Sequence, residues 1–245
     1  MKTKLLMMAT AFLLSLTSCG VNFGNNISNR ISPSDNIVKA KYQFEAFDKI
    51  DNHVVGNIRI VQSKGDSRVT LSAPDNYIDL YEFTNEGGEL KIRFTRNSVN
   101  IDTEDVDIII YTPTLNVVRN SGASEVRLDS LTTEAFEVYN SGVGSFFLNQ
   151  LNVKNLDVKC TGVGSIELSG QTEKAEYSCT GVGSINAQDL KAYNVKAQVT
   201  GVGSIQCHAS EAIEGGVTGV GSLRYAGRPA HRKFNNPKIG SITEL

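Results

Sequence analysis

The five residues Thr-Gly-Val-Gly-Ser occur four times in this chain, beginning at positions 161, 180, 200 and 218. Related stretches extend the series, with SGASE at 121, SGVGS at 141 and PKIGS at 237. The seven starting positions are separated by 20, 20, 19, 20, 18 and 19 residues. A period this regular predicts a solenoid, in which each repeat forms one coil that stacks on its neighbours.

The side chains around each motif alternate as they do in a half-buried β-strand. Ile166 and Leu168 flank Glu167, and most other repeats place apolar, polar and apolar residues at the same three positions. A helical repeat would need apolar residues three and four apart and would tolerate the central glycines poorly. About 20 residues at roughly 3.3 Å each suffice for one turn of a three-sided coil. The sequence therefore predicts an all-β fold, a parallel β-helix whose right-handed winding follows from the crossover rule.

The repeated motif is predicted to form a corner of each coil. Glycine adopts tight and positive-φ conformations that cost other residues energy. Val163, between two glycines, is expected to point inward, and the Thr and Ser of successive motifs to stack as hydroxyl ladders. The corner role falls to Gly162, Gly164, Gly181, Gly183, Gly201, Gly203, Gly219 and Gly221. The motif is thus expected to be architectural, since a phosphate-binding loop is normally needed only once.

Residues 40–115 lack the motif but are also rich in predicted strands. The segments VVGNIRIVQ, RVTLSAP, ELKIRF and VDIIIYTP alternate apolar and polar residues and are bounded by turn residues. We expect this region to form an irregular β part that caps the regular repeat of residues 116–245. Solenoids need such caps because an open strand edge invites aggregation.

Residues 1–18 are typical of a secretory signal peptide, with two lysines followed by an apolar stretch too short to span a bilayer. The stretch LTSCG at 16–20 resembles a bacterial lipobox, whose cysteine, here Cys19, is lipidated after cleavage. The alternative is an ordinary signal peptide that contains a cysteine. Several acyl chains at Cys19 would give a stable membrane anchor.

Residues 19–39 are rich in Asn and Ser and have few apolar residues, so we expect a flexible tether before a folded part that begins near Ala40. Gly20 follows the cysteine in place of an aspartate, which favours delivery to the outer membrane. The net charge of −2 and the pI near 6.0 argue against a nucleic-acid partner, because such binding depends on a basic surface.

Cys160 and Cys179 each precede a motif and are expected to occupy one inward column on adjacent coils. Stacked Cα atoms about 4.8 Å apart lie within the disulfide range, and an exported protein meets oxidising conditions. In-register parallel neighbours, however, seldom provide the required torsion, so a disulfide and a pair of buried thiols both stay open. Cys207 falls in a different inward column and is expected to be a free buried thiol.

No catalytic or metal site is predicted. The three histidines, His53, His208 and His231, are far apart in the sequence with nothing to place them together. The densest acidic cluster is Asp102, Glu104, Asp105 and Asp107. Its alternation with Val106 and Ile108 favours the solvated face of a strand over a calcium site, which needs several converging oxygens.

Tyr139 and Phe147 are outward-facing aromatic residues on one predicted coil. They could stack on a sugar ring or a protein partner, and the alternative is scattered surface residues without a function. No paired carboxylates recur along the outward columns, which argues against the carbohydrate-active enzymes that also use β-helices.

Three stretches together resemble a known family, from about Phe44 to Leu245. They are FDKIDNHVVGNIRI, VDIIIYTPTLNVVRNSGASEV and the repeated GVGSI, with Gly56-Asn57-Ile58 and Ser121-Gly122-Ala123 as markers. The sequence is similar to the auto-transporter adhesin, head GIN domain family of Bacteroidota. That resemblance implies a right-handed β-helix in the cell envelope and no catalytic residues.

The sequence as a whole predicts a non-enzymatic, lipid-anchored envelope protein without a cofactor, an adhesin or binding module on the surface or the periplasmic side. Its partners would be the membrane, through the anchor, and a protein or glycan of unknown identity. The alternatives are a carbohydrate-active β-helix enzyme and a structural or stress-related envelope protein.

Overall fold

A computed structural model describes residues 30–65, 67–235 and 239–245. The predicted signal peptide and Cys19 lie outside the described residues, and residues 31–245 form one compact unit. Before the repeat, the strands are β1 (Arg30–Ile31), β2 (Ile37–Gln43), β3 (Lys49–Asn52), β4 (Val55–Gln62), β5 (Arg68–Pro74), β6 (Tyr81–Glu86), β7 (Glu89–Phe94), β8 (Asn100–Ile101) and β9 (Asp107–Thr112). The short helix α1 (Asp75–Ile78) lies between β5 and β6.

The repeat contains longer strands that follow the chain around whole coils. They are β10 (Val117–Asn120), β11 (Ala123–Leu128), β12 (Leu131–Asn140), β13 (Val143–Cys160), β14 (Val163–Cys179), β15 (Val182–Val199), β16 (Ser204–Val217), β17 (Ser222–Ala226), β18 (His231–Asn235) and β19 (Ser241–Glu244). Each pairs in parallel with the equivalent part of the next coil. The fold is therefore a parallel β-solenoid of about 6 turns with about 20 residues between stacked coils, which confirms the predicted class.

The regular stack begins earlier than the sequence motif indicates. Strands β3 and β4 pair in parallel with β10 and β11, with Asn52 opposite Asn120 and Gly56 opposite Ser124. The stretch NHVVGN at 52–57 thus occupies the position of the later motifs, although only one of its glycines remains. The sequence prediction assigns this coil to the irregular part because Val54 stands where the later motifs have their first glycine.

The remaining N-terminal strands close the end of the solenoid. Strands β7 and β9 add parallel segments to β3 and β4. Antiparallel pairing then takes over, with β5 on β9, β2 on β5 and β6 on β7. The change from parallel to antiparallel pairing ends the repeating stack at this end.

The folded unit also begins earlier than Ala40. The Ser34 hydroxyl donates to Asp75 Oδ1 (2.5 Å), and the Asn36 amide donates to Asp75 Oδ2 (3.0 Å). These hydrogen bonds lower the pKa of the Asp75 carboxyl. Residues 31–39, expected to lie in the tether, therefore pack against the N-terminal cap.

The corner valines are the clearest correction to the sequence prediction. Val163, expected to point inward, is 50% exposed, and the equivalent valines of the other motifs are exposed by 57% to 61%. The inward position belongs instead to the residue before each motif and to the residue after its final serine, such as Cys160 and Ile166. The two glycines turn the backbone so that the residue between them faces solvent.

Close stacking explains the first glycine of each motif. A Cβ atom built on Gly162 would lie 2.1 Å from the carbonyl oxygen of Gly142, on the preceding coil. Gly164 has φ +144°, a conformation that side-chain-bearing residues rarely adopt, and a Cβ there would also strike the backbone of the coil below. The corner role predicted for these glycines thus rests on the contact between coils as much as on conformational freedom.

An asparagine ladder runs through the N-terminal coils of the core. Asn52 Nδ2 donates to Asn120 Oδ1 (2.8 Å), and Asn120 Nδ2 donates to Asn140 Oδ1 (3.1 Å). All three side chains are buried. The column continues as Cys160, Cys179, Val199 and Val217, so its chemistry changes from amide to thiol to aliphatic along the axis.

Candidate functional site

One face of the described solenoid contains a groove of about 870 Å³ that crosses six stacked rows. Its floor is the outer backbone of residues whose side chains point into the core, with Leu156, Ala175 and Val195 at its centre. Because neighbouring rows lie about 4.8 Å apart, six rows correspond to a length of roughly 24 Å. A groove of this shape fits an extended chain that lies along the solenoid axis.

Two outward rows form the walls of the groove. The first, which we call the amide row, contains Ala135, Asn155, Lys174, Asn194, Ala212 and His231. The second, which we call the charged row, contains Glu137, Asp157, Glu176, Lys196, Glu214 and Lys233. The register of the strands holds each row in line, so hydrogen-bonding groups recur at every step along the groove.

The charged row differs between its two halves. Its first three members are carboxylates, and the Lys159 ammonium donates to the middle one, Asp157, at 2.6 Å. That hydrogen bond raises the pKa of Lys159, and the neighbouring carboxylates Glu137 and Glu176 add to the effect. In the second half, Lys233 donates to Glu214 at 2.9 Å and lowers the pKa of that carboxyl. The first half of the groove therefore carries the excess of negative charge.

The structure separates the two aromatic residues that the sequence singled out. Tyr139 lies beside the groove, in a hollow of about 230 Å³ that shares Glu137 and Asp157 with it. Phe147 lies on the face beyond the motif corner, where the Arg127 guanidinium stacks 4.4 Å from its ring centre. The two rings thus do not form one surface, and only Tyr139 adjoins the groove.

Sequence reasoning missed the groove because its walls contain no motif. The residues are ordinary charged and amide side chains that become a surface only when the coils stack in register. The signal present in the sequence is a third outward column, two residues before the one that contains Tyr139 and Lys159.

A hydrogen-bonded chain that sequence reasoning also missed links Asp51, His53 and Ser121. Asp51 Oδ2 lies 2.7 Å from His53 Nε2, and the Ser121 hydroxyl lies 2.7 Å from His53 Nδ1. The pairing of β3 with β10 brings His53 to a serine 68 residues away, a contact that the sequence did not indicate.

This chain of groups has the residue types of a hydrolase triad but lacks its surroundings. The backbone N–H of Ser121, a candidate oxyanion donor, already donates to the Asn52 carbonyl at 2.8 Å. The Ser121 hydroxyl is also within 3.2 Å of that carbonyl. None of the three residues lines the groove or its adjoining hollow. Acyl transfer needs free hydrogen-bond donors for the developing oxyanion in an enclosed site. We therefore assign the hydrogen bonds among Asp51, His53 and Ser121 a structural role at the first corner of the solenoid.

The cysteines of the inward columns are free thiols in the structure. Cys160 and Cys179 are register partners with 0% exposure, and no disulfide joins them. In-register neighbours project their Cβ–S bonds side by side, whereas a disulfide needs a torsion near 90°. The hydrogen bond with Cys179, together with burial, raises the pKa of the Cys160 thiol. The same hydrogen bond lowers the pKa of Cys179 to about 7, although that thiol is buried as well. Burial raises the pKa of Cys207 to about 12, so Cys207 stays a protonated thiol.

The acidic stretch at 102–107 follows the alternation that the sequence indicated. Asp105 and Asp107 are exposed, and Val106 and Ile108 are fully buried. Across the described part of the chain, no three His, Cys, Asp or Glu side chains are grouped so that they could hold a metal ion. The described residues also include no helix long and apolar enough to cross a bilayer.

Comparison with known proteins places this fold in a family. Residues 46–229 match the family described as "Putative auto-transporter adhesin, head GIN domain". The chain belongs to this family. The first residues of the match lie just before β3, so it includes the early coil that the motif spacing alone did not reveal. No curated protein is significantly similar to the chain.

Solved structures share the head GIN fold. An adhesin-named protein from Bacteroides fragilis is 32% identical, with 88% of this chain and 100% of that chain covered and a TM-score of 0.85. One from Parabacteroides merdae, with the same designation, is 21% identical, with 89% and 100% covered and a TM-score of 0.67. A protein from Parabacteroides distasonis named for lipid binding is 20% identical, with 88% and 99% covered and a TM-score of 0.69. At these last two identities the likeness concerns the fold alone.

Proposed function

We propose that this chain is a lipid-anchored binding protein of the cell envelope, an adhesin-type module whose groove holds an extended polar polymer. The observation that carries the proposal is the groove itself, with hydrogen-bonding side chains repeated on six rows. Its walls can accept and donate hydrogen bonds along a ligand chain, and its floor offers no nucleophile. Binding without chemistry is the activity that this surface supports best.

The ligand is expected to be a glycan or polypeptide strand that presents hydroxyl or cationic groups to the first half of the groove. Glu137 and Glu176 are exposed there and flank the paired Asp157. Electrostatic complementarity of this kind contributes chiefly to specificity and association rate. Binding should therefore weaken with rising salt if the ligand is cationic, and should be nearly insensitive to salt if it is neutral.

Reversing the charge of Glu176 tests the groove. Glu176→Lys is expected to weaken binding to any ligand found on a glycan and peptide array by about tenfold or more, since about 1.4 kcal/mol of lost interaction has that effect. Glu173→Lys is the matched control, because Glu173 is exposed on the same coil but lines a different hollow. Equal loss in both variants, or in neither, would remove the groove as the binding site. Release of shortened glycan during the assay would show that the protein cleaves its ligand, which would contradict a role in binding alone.

The anchor is tested at Cys19. Labelling of growing cells with a palmitate analogue is expected to mark the wild-type protein and not Cys19→Ala. Both lipid attachments, the thioether-linked diacylglycerol and the amide-linked acyl chain, are made to that cysteine. A variant with Cys160→Ala controls for incidental acylation of another cysteine, since that thiol is buried. Label that persists in Cys19→Ala would refute the anchor while leaving the groove untouched.

A further inference from the structure

A line of exposed aliphatic side chains runs along the motif corners, and neither the groove nor the fold accounts for it. It consists of Val143, Val163, Val182, Val202, Val220 and Ile239, one from each of six successive motifs, and we call it the apolar ridge. Their exposures run from 50% to 66%. The strand register aligns the first three directly, and the others occupy the same motif position on later coils.

The fold requires the glycines and hydroxyls of the motif but not these valines. The glycines permit close stacking. The hydroxyls satisfy one another or backbone carbonyls, as Ser165 does by donating to Ser145 (3.1 Å) and Thr161 by lying 3.5 Å from the Asn140 carbonyl. A β-branched residue suits the extended backbone, but threonine would meet that need without exposing a second methyl group. Because the fold does not require these exposed aliphatic side chains, their repetition at one motif position indicates an interaction surface.

The middle of the ridge has uncharged neighbours. Beyond the motif glycines, the rows on each side are the motif Thr and Ser residues, and the next outward positions on the Val182 and Val202 coils are Ser178, Gln198, Asn186 and Gln206. Charged side chains take these positions on other coils, as Lys159 and Glu167 on the Val163 coil and Arg224 on the Val220 coil. Covering the ridge at the Val182 and Val202 coils with an apolar medium would therefore desolvate chiefly hydroxyl and amide groups.

The shape of the ridge argues against a second copy of this chain as its partner. The ridge is a convex corner one side chain wide, and two such corners meet along a line. A stable protein–protein interface needs roughly 1,000 Å² of well-packed surface, which a single file of valines cannot provide. A fluid surface can close around a convex apolar edge, as the interfacial region of a bilayer does around protruding aliphatic residues.

We infer that the apolar ridge rests on a lipid bilayer and holds the solenoid lengthwise against the membrane. The inference uses the proposed anchor only for proximity: the 12 Cα–Cα steps from Cys19 to Ile31 span at most about 43 Å, which keeps the folded unit near the acyl chains. Contact through the ridge would then fix which faces of the solenoid point outward. The charged row of the groove stands six residues before the ridge position on each coil, so the groove lies on the adjoining face and stays open in this orientation.

Vesicle binding tests the ridge without the anchor. The chain from Gly20 onward, which includes the whole folded unit, is mixed with phosphatidylethanolamine–phosphatidylglycerol vesicles and sedimented. We expect saturable binding by the unmodified chain and at least a tenfold weaker partition for Val163→Thr/Val182→Thr/Val202→Thr. Threonine preserves β-branching and shape, so the melting temperature should stay within a few degrees. The matched control, Asn152→Thr/Gln171→Thr/Lys191→Thr, changes one register column on another face and should bind as the unmodified chain does.

Three outcomes would overturn the inference. These are no sedimentation of the unmodified chain, equal sedimentation of the ridge variant, and a dimer in light scattering that the ridge variant converts to a monomer. The last would assign the ridge to self-association. Array binding through the groove should be unchanged in the ridge variant, so failure of this inference and failure of the proposed function can be told apart.

Discussion

Replacing Gly162 with valine is expected to prevent the chain from folding, so that the protein is recovered as insoluble or unfolded material. The Cβ atom alone would lie 2.1 Å from the Gly142 carbonyl oxygen and 2.6 Å from the Ser141 carbonyl carbon. Both are backbone atoms of the preceding coil, which cannot move aside without breaking the parallel ladder. A loss of more than about 4 kcal/mol is the range associated with defects of this kind. Circular dichroism and thermal unfolding of the purified chain would measure it.

Valine at Gly65 is the control for a glycine outside the stack. The nearest non-neighbouring atom to a Cβ there is an Arg68 side-chain nitrogen at 4.0 Å. That variant is expected to melt within a few degrees of the unmodified protein. If Gly162→Val folded normally and lost only ligand binding, the motif would be a binding loop and its role as a corner would be wrong.

Replacing Asn120 with leucine is expected to lower the free energy of unfolding by about 2–4 kcal/mol, since burying a polar group without its partner costs about 1–3 kcal/mol each time. Asn120 accepts from Asn52 and donates to Asn140, so its loss disrupts the ladder on both sides. For a domain of this size the melting temperature should fall by about 4–16 °C. Urea unfolding monitored by circular dichroism gives the free energy directly.

The double variant Asn120→Leu/Asn140→Leu separates polar pairing from packing. Removal of both partners of one hydrogen bond is expected to cost less than the sum of the two single changes, because no orphaned amide is left at that step. If the losses in the free energy of unfolding were strictly additive, the asparagines would stabilise the core only by filling space and not by pairing their amides. The thiol and valine residues that continue this column show that the core accepts apolar side chains at the same position.

The solenoid could be predicted because its signal repeats. Seven motifs at nearly constant spacing, each followed by an alternating strand, leave few other folds, and even the inward column of Cys160 and Cys179 was correctly placed. The first coil at Asn52 does not show the full motif, because Val54 stands at the position of the first glycine and only Gly56 remains. The antiparallel pairing of β2, β5 and β6 could not be predicted, because those strands lie outside the repeat and motif spacing gives no information on their partners.

The candidate site could not be predicted in the same way. An apolar residue within an alternating strand predicts that Val163 points inward. The glycines on either side turn the backbone, so the valine side chain faces solvent instead. The groove depends on which outward columns come to lie side by side when the coils stack, and no single residue type marks those columns in the sequence. Lipidation at Cys19 lies outside the described residues and stays a prediction.

Ligand capture by intact cells tests the central claim most directly. Cells that carry the unmodified protein, Glu176→Lys or Glu173→Lys would be incubated with a labelled ligand taken from the array, after immunoblotting has shown equal amounts of each protein. If the protein is a surface-exposed binding module, the unmodified and Glu173→Lys cells should retain the ligand. The Glu176→Lys cells should retain at least about tenfold less of it. Equal retention by all three strains, or retention that appears only after lysis, would contradict a binding groove displayed at the cell surface.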